Sequence, residues 1–356
     1  MSDALRRLAE LLNTALARYV PPPLVAELPA TDCEPAGVAG AAIIRDQSYF
    51  TATIHEVALS ANQFWWTQFD PMVLTITEFI HGDGVIAVPG VVGPETIRKL
   101  HSSATVPPGI VLRNTPVSGP SPYRGGAFAL TVMLYRVKVG DFAQRLLRVM
   151  EGLSTAIGRE DISTLVRLGG AVVDGLETLI GLGDTVPIAG QRAVQDGDTF
   201  RGFRSAYYAL IAAPPMQPGS LRVVNGEQLH VVDGAGRAPL TGVDYVLYSI
   251  QGRSRRGEFA TLPFSPLLKE AKAAAAIGDE EGWKRARASL LACYQQMVSS
   301  DDLTGADADA VFDETRADLK RIYDHATQAR MLSPQEQRII DNVRERLNRA
   351  TAALDS

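Results

Sequence analysis

The chain has 356 residues, of which 46% are hydrophobic and 21% charged, and it carries a net charge of -5 at neutral pH. That is apolar material enough for a sizeable core and about two domains, which excludes an intrinsically disordered chain. The acidic balance argues against a general nucleic-acid binder, because duplex affinity comes from clustered Lys and Arg, although it leaves room for one local basic patch.

Taken in chain order, Leu5, Leu8, Leu12 and Leu16 fall at helical spacing and predict an N-terminal amphipathic helix over residues 1–20. Asp3, Arg6, Arg7 and Glu10 interrupt any apolar leader core, so no secretory signal is expected. Pro21-Pro22-Pro23 ends that helix, since proline has no N–H to donate. The Pro-, Ala- and Gly-rich stretch from Leu24 to Gly40 reads as a linker.

A β-rich domain is expected over residues 38–252. Ser48 to Leu59 alternates in the manner of a strand, and Met72 to Ile80 and Gly84 to Val88 flank a turn at His81-Gly82-Asp83-Gly84. Val106 to Gly126 is dense in Pro and Gly and reads mostly as loop. Ala127 to Val139 is the strongest strand, and its apolar residues occupy both faces, as in the middle of a sandwich. The period then lengthens, and residues 141–185 read as an inserted helical pair starting at the N-cap candidate Asp141. Strand patterns return at Phe203 to Ala212, Leu221 to Val232 and Val243 to Ile250, with turn dipeptides at Asn225-Gly226 and Asp233-Gly234.

Residues 264–356 read as a helical bundle. Ser265 as N-cap with Pro266 at the first helical position marks one helix start, and further helical patterns run near Glu280 to Met297 and Ala306 to Arg330. Ser333-Pro334-Gln335-Glu336 is a capping box ahead of Ile339, Ile340, Val343 and Leu347. The expected class is α+β: a β-sandwich-like domain with an inserted helical pair, followed by a C-terminal helical bundle.

Motifs with a fixed chemistry are missing. The sequence holds no GxxxxGK[ST], no strand-GxGxxG-helix, no GxSxG and no HExxH. Cys33 and Cys293 are far apart and belong to no CxxC or Cys/His cluster, and so few cysteines fit a reducing compartment. The acidic run Asp301, Asp302, Asp307, Asp309, Asp313, Glu314 puts Phe312 or Asp307 where a calcium loop needs glycine, so it reads as helix N-terminal acid instead. No cofactor and no metal are expected.

Three groups remain as site candidates. Gly252-Arg253-Ser254-Arg255-Arg256-Gly257 packs three arginines between glycines at a domain boundary. The plain reading is a solvated loop; the sharper ones are an anion-binding fork or a cleavage site for an Arg-directed protease. Trp65 and Trp66 are neighbours, so on a strand they face opposite ways; one suits the core and the other a partner-binding anchor. His81, Asp83 and His101 are the weak enzyme candidates, against a plain reading as a polar turn and a surface histidine.

The expectation is therefore a bacterial, cytoplasmic protein-protein interaction or adaptor protein, not an enzyme, with a protein partner, no nucleic acid and no favoured membrane role. Two alternatives stand beside it. One is an effector released by cutting at Arg253, Arg255 or Arg256, or acting on membranes through the inserted helices. The other is an enzyme with an unfamiliar site.

Overall fold

A computed structural model describes residues 23–35, 39–60, 63–64, 67–82, 84–93, 110–138, 185–199, 202–212, 220–233, 236–260 and 262–331, together with 342, 343 and 345. The strands are, in order, β1 (Leu24–Leu28), β2 (Tyr49–Ala58), β3 (Gln63–Phe64), β4 (Thr67–His81), β5 (Gly84–Val92), β6 (Ile110–Pro122) and β7 (Ala127–Lys138). They continue with β8 (Thr185–Asp196), β9 (Ala206–Ile211), β10 (Leu221–Val224), β11 (Gln228–Asp233), β12 (Gly236–Pro239) and β13 (Tyr245–Arg253). Three helices follow: α1 (Ser265–Ala275), α2 (Glu280–Val298) and α3 (Gly305–Met331). The class is α+β, with antiparallel sheets first and a helical region at the C-terminal end. The predicted N-terminal helix, nearly all of the inserted helical pair and the Ser333 cap lie outside the described residues, as do Trp65, Trp66, Asp83 and His101.

The chain divides into two compact units. The first comprises Met1–Gly257 together with Asp301–Thr304; the second comprises Glu258–Ser300 and Gly305–Ser356. In the first, one sheet runs β1-β9-β13-β2-β6. A second joins β5, β4, β7 and β8, with β3 hairpinned onto the start of β4. A third, smaller sheet is β10-β11-β12.

The first sheet is the middle layer. Phe50, Ala52 and Ile54 of β2 and Val246, Tyr248 and Ile250 of β13 point to one side. There they share a core with Val73 and Phe79 of β4 and with Phe128, Leu130, Val132 and Leu134 of β7. The Phe50 ring meets Phe79 and Phe128 edge-on, with centroids 4.9 and 5.0 Å away. The opposite face carries Ala58, Tyr207, Ala209, Ile211, Tyr245 and Leu247, which pack on Leu221, Val223 and Leu229 of the small sheet. A strand covered on both faces needs an unbroken apolar run rather than alternation, and β9 (AYYALI) is buried at every position. β7 likewise has partners on both edges, β4 and β8.

Two stretches read as connection are strands. Leu24–Leu28 pairs antiparallel with β9 through alternating buried residues. Ile110–Pro122 pairs with β2, and its prolines are tolerated because β6 ends its sheet among the described residues, where a missing N–H breaks no second ladder. Register shifts along this pairing absorb the irregular residues. At Gly119 φ is +93°, and a Cβ there would overlap the Phe50 carbonyl oxygen and lie 3.0 Å from Thr51 Cα. The position requires glycine. The Asn225-Gly226 turn behaves as its dipeptide implies: both residues, at positive φ, link β10 to β11, whereas Gly234 of the other dipeptide lies outside the described residues.

In the helical unit each helix packs on the other two. The shared core is mostly alanine, with Ala271, Ala274, Ala275, Ala286, Leu290 and Leu319, so the helices approach closely. Asp279 caps α2 by accepting from the Gly282 N–H at 2.7 Å, which holds its carboxyl below the usual carboxylate range. The predicted cap Ser265 instead lies inside the first turn of α1, one residue after the N-cap Phe264.

Candidate binding site

The β-unit presents a cleft of about 560 Å³ where β1 and β9 of the middle sheet approach β8 of the outer sheet. β1 and β8 both end their sheets, so among the described residues each pairs along one edge only. Glu27 enters from β1, and Gln195 and Asp196 from β8. Tyr208 of β9 also lines the cleft. It is buried, stacked on Tyr248 with ring centroids 5.2 Å apart, and its hydroxyl accepts a hydrogen bond from Gln195 Nε2. Burial, with the Glu27 carboxylate nearby, raises the Tyr208 phenol well above its ordinary value, so it stays protonated and neutral.

The rim beyond β8 is a tight turn. Asp196 accepts from the Asp198 N–H at 3.0 Å through its side chain and from the Thr199 hydroxyl at 2.8 Å through its carbonyl. The Gly202 N–H donates to the Thr199 carbonyl at 2.9 Å, and Arg204 lies on the same cleft. Two carboxylates, one guanidinium and a neutral phenol therefore line the same cleft. The arrangement supplies hydrogen-bond acceptors, an aromatic edge and two strand edges, but no activated nucleophile.

A second concentration of polar groups lies on the other face of the middle sheet. A bulge in β2 opposite Leu247 and Tyr248 brings in His55 and Glu56. Glu56, 1% exposed, accepts from the Leu229 N–H at 2.8 Å and so ties the small sheet to the middle one. His55 Nδ1 lies 2.5 Å from Asn114 Oδ1, and His55 Nε2 lies 2.7 Å from the Ser249 hydroxyl. Asn114 in turn donates through Nδ2 to Glu227. With the Asn114 amide so oriented, its oxygen accepts from His55 Nδ1–H, and Nε2 accepts from Ser249. The direction matches that of a serine activated by a histidine. Ser249 is nonetheless 0% exposed in the middle of β13, between Tyr207 and Thr53. The chain of bonds therefore works as a polar lock between strands.

The arginine stretch is not uniformly solvated. Arg253, the last residue of β13, is exposed; Arg255 is half-buried; Arg256 is completely buried. Arg256 Nη1 donates to the carbonyls of Pro120 and Asp302, each at 3.1 Å. These acceptors are backbone groups remote in sequence, which no local charge pattern reports. His81 closes the β4–β5 hairpin and is buried against Phe79, at a ring distance of 6.4 Å.

Among the described residues no group of three or more His, Cys, Asp or Glu is placed to hold a metal ion. No helix among them is long and apolar enough to cross a membrane. The cleft has no local signature in the sequence, because Glu27 of β1 stands far from Asp196 and Tyr208 of the consecutive strands β8 and β9, with no motif that links them. Compared with known protein families, characterised proteins and solved structures, the chain matches none of them.

Proposed function

We propose that the chain is an interaction protein whose β-unit holds an extended, basic segment of a partner protein in the cleft between β1 and β8. The observation that carries this reading is the pairing of two strand edges with two carboxylates at one opening. An extended peptide adds to a sheet edge through main-chain hydrogen bonds, and its side chains supply specificity. Glu27 and Asp196, against the single guanidinium of Arg204 on the same cleft, suit a Lys or Arg side chain, and the edge of the Tyr208 ring suits the apolar stem below the charge. Val194, 54% exposed on β8, offers an apolar contact to the alternate side chain. A cytoplasmic setting belongs to the same proposal and draws support from Cys33 and Cys293, both buried and unpaired.

The test uses fluorescently labelled hexapeptides alternating Val and Arg, and the same peptides with Glu in place of Arg. The Arg peptides should bind the full chain with at least tenfold preference. Glu27→Gln with Asp196→Asn should abolish that preference. Equal binding of both peptides, or none, overturns the reading. An enzymatic reading based on His55 and Ser249 has less support, because no substrate reaches a hydroxyl sealed inside a sheet.

A further inference from the structure

We propose that the Arg253–Ser254 bond is a nicking site, and that cutting it leaves the two pieces held together by the Asp301–Thr304 strap. The bond sits where β13 runs out: Arg253, opposite Tyr49 on β2, is its last paired residue, Arg253 and Ser254 are exposed, and among the described residues no regular element follows before α1. Three residues later the chain is anchored again by Arg256, whose burial withholds that arginine from a protease. Arg255, between them, is half-buried, so the bond after Arg253 is the most exposed of the three.

A cut at 253 would separate residues 1–253 from residues 254–356. The strap, although it lies between α2 and α3 in sequence, belongs to the β-unit. Asp302, Leu303 and Thr304 are all buried there. The Thr304 N–H donates to the Tyr49 hydroxyl at 2.9 Å, and Arg124 Nη2 donates to the Leu303 carbonyl at 2.7 Å. Arg256, on the same piece as the strap, donates to the Pro120 carbonyl on the other. Each of these bonds crosses the cut. The buried Leu303 side chain adds a contact that a free piece would have to return to water. A nick thus changes connectivity without releasing the helical part, in the way a regulatory clip differs from shedding.

Limited trypsin digestion of the full chain, read by mass spectrometry, should cut after Arg253 before it cuts after Arg256. The retention is tested with a full chain carrying a site-specific protease sequence inserted between Arg253 and Ser254. After cutting, the pieces should elute as one species in native buffer at micromolar concentration and separate in denaturant. Tyr49→Phe, which removes one acceptor, should weaken the nicked complex roughly tenfold. Leu303→Ala should weaken it by about thirtyfold or more. Should Leu303→Ala not fold, Tyr49→Phe alone decides the matter. First cleavage after Arg255 or Arg256, separation of the unmodified pieces in native buffer, or an unchanged dissociation constant in the strap variants overturns the proposal.

Discussion

His55 and Ser249, 194 residues apart in sequence, are joined by a 2.7 Å hydrogen bond inside the middle sheet. The imidazole accepts from Ser249 and donates to Asn114, so its neutral form satisfies every partner. Burial lowers the proton affinity of His55 below the ordinary histidine value, and the Asn114 bond and the Glu227 charge oppose this only in part. The unfolded chain then takes up that proton more readily than the folded one. Stability is therefore complete above about pH 6.5 and is lost as the pH falls below it toward the folded value. His230 on β11 is shifted the same way and adds a component of the same sign. We expect the urea midpoint to fall between pH 7.5 and pH 5.5, and to fall less in His55→Gln. At neutral pH that variant should cost about 1–3 kcal/mol, because it strands part of the network. Equal pH slopes for the two proteins would show that His55 does not titrate in this way.

Gly119 should be intolerant of any side chain. Its positive φ and its overlap with the Phe50 carbonyl combine two separate penalties on the edge strand β6. Gly119→Ala should cost more than about 2 kcal/mol. Gly84→Ala is the control, since a Cβ there meets nothing within 4 Å. Similar denaturation midpoints for the two variants would remove the close approach from the account of β6.

What the sequence made legible follows from the range of the interactions. The two apolar faces of β7 are a local pattern, and they predict a strand with both faces covered. β6 was hidden because Pro116, Gly119 and Pro120 break strand propensity; its edge position, which makes them harmless, is a property of the assembled sheet. Leu24–Leu28 was hidden because five residues beside prolines give too short a pattern to separate strand from linker. Three arginines in four residues read locally as solvated charge. The burial of Arg256 is fixed by carbonyls 136 and 46 residues away. The cleft is the extreme case, with walls from three strands and no motif to unite them.

Val132 gives a direct test of the sandwich. It lies in the middle of β7, 0% exposed, with Thr75 across on β4 and Gln191 across on β8. Its side chain enters the core shared with Phe50 and Ile54 of the middle sheet. Val132→Asp places a carboxylate there without a cation and should cost at least about 3 kcal/mol. Val194→Asp, on the exposed face of the edge strand β8, should cost less than about 1 kcal/mol. Chemical denaturation of both variants measures the difference, and comparable losses would contradict the two-sheet core.

Arg253 and Arg256 are three residues apart, yet they should respond to substitution in opposite ways. Arg256→Ala deletes a guanidinium that satisfies two backbone carbonyls and leaves Pro120 and Asp302 facing an empty space. The cost should reach about 2–4 kcal/mol, from the lost bonds, the stranded acceptors and the cavity together. Arg256→Lys should recover little of it, because a single ammonium on a thinner stem fills neither the volume nor the fork of the guanidinium. Arg253→Ala, at an exposed strand end, should cost below about 1 kcal/mol. The two losses can be separated by following near-ultraviolet circular dichroism through a denaturant titration, since Tyr49 and Tyr123 lie in the same unit as Arg256. An Arg256→Ala midpoint equal to that of Arg253→Ala would mean that the buried guanidinium does not hold the strap, and the retention of a nicked chain would then need another source.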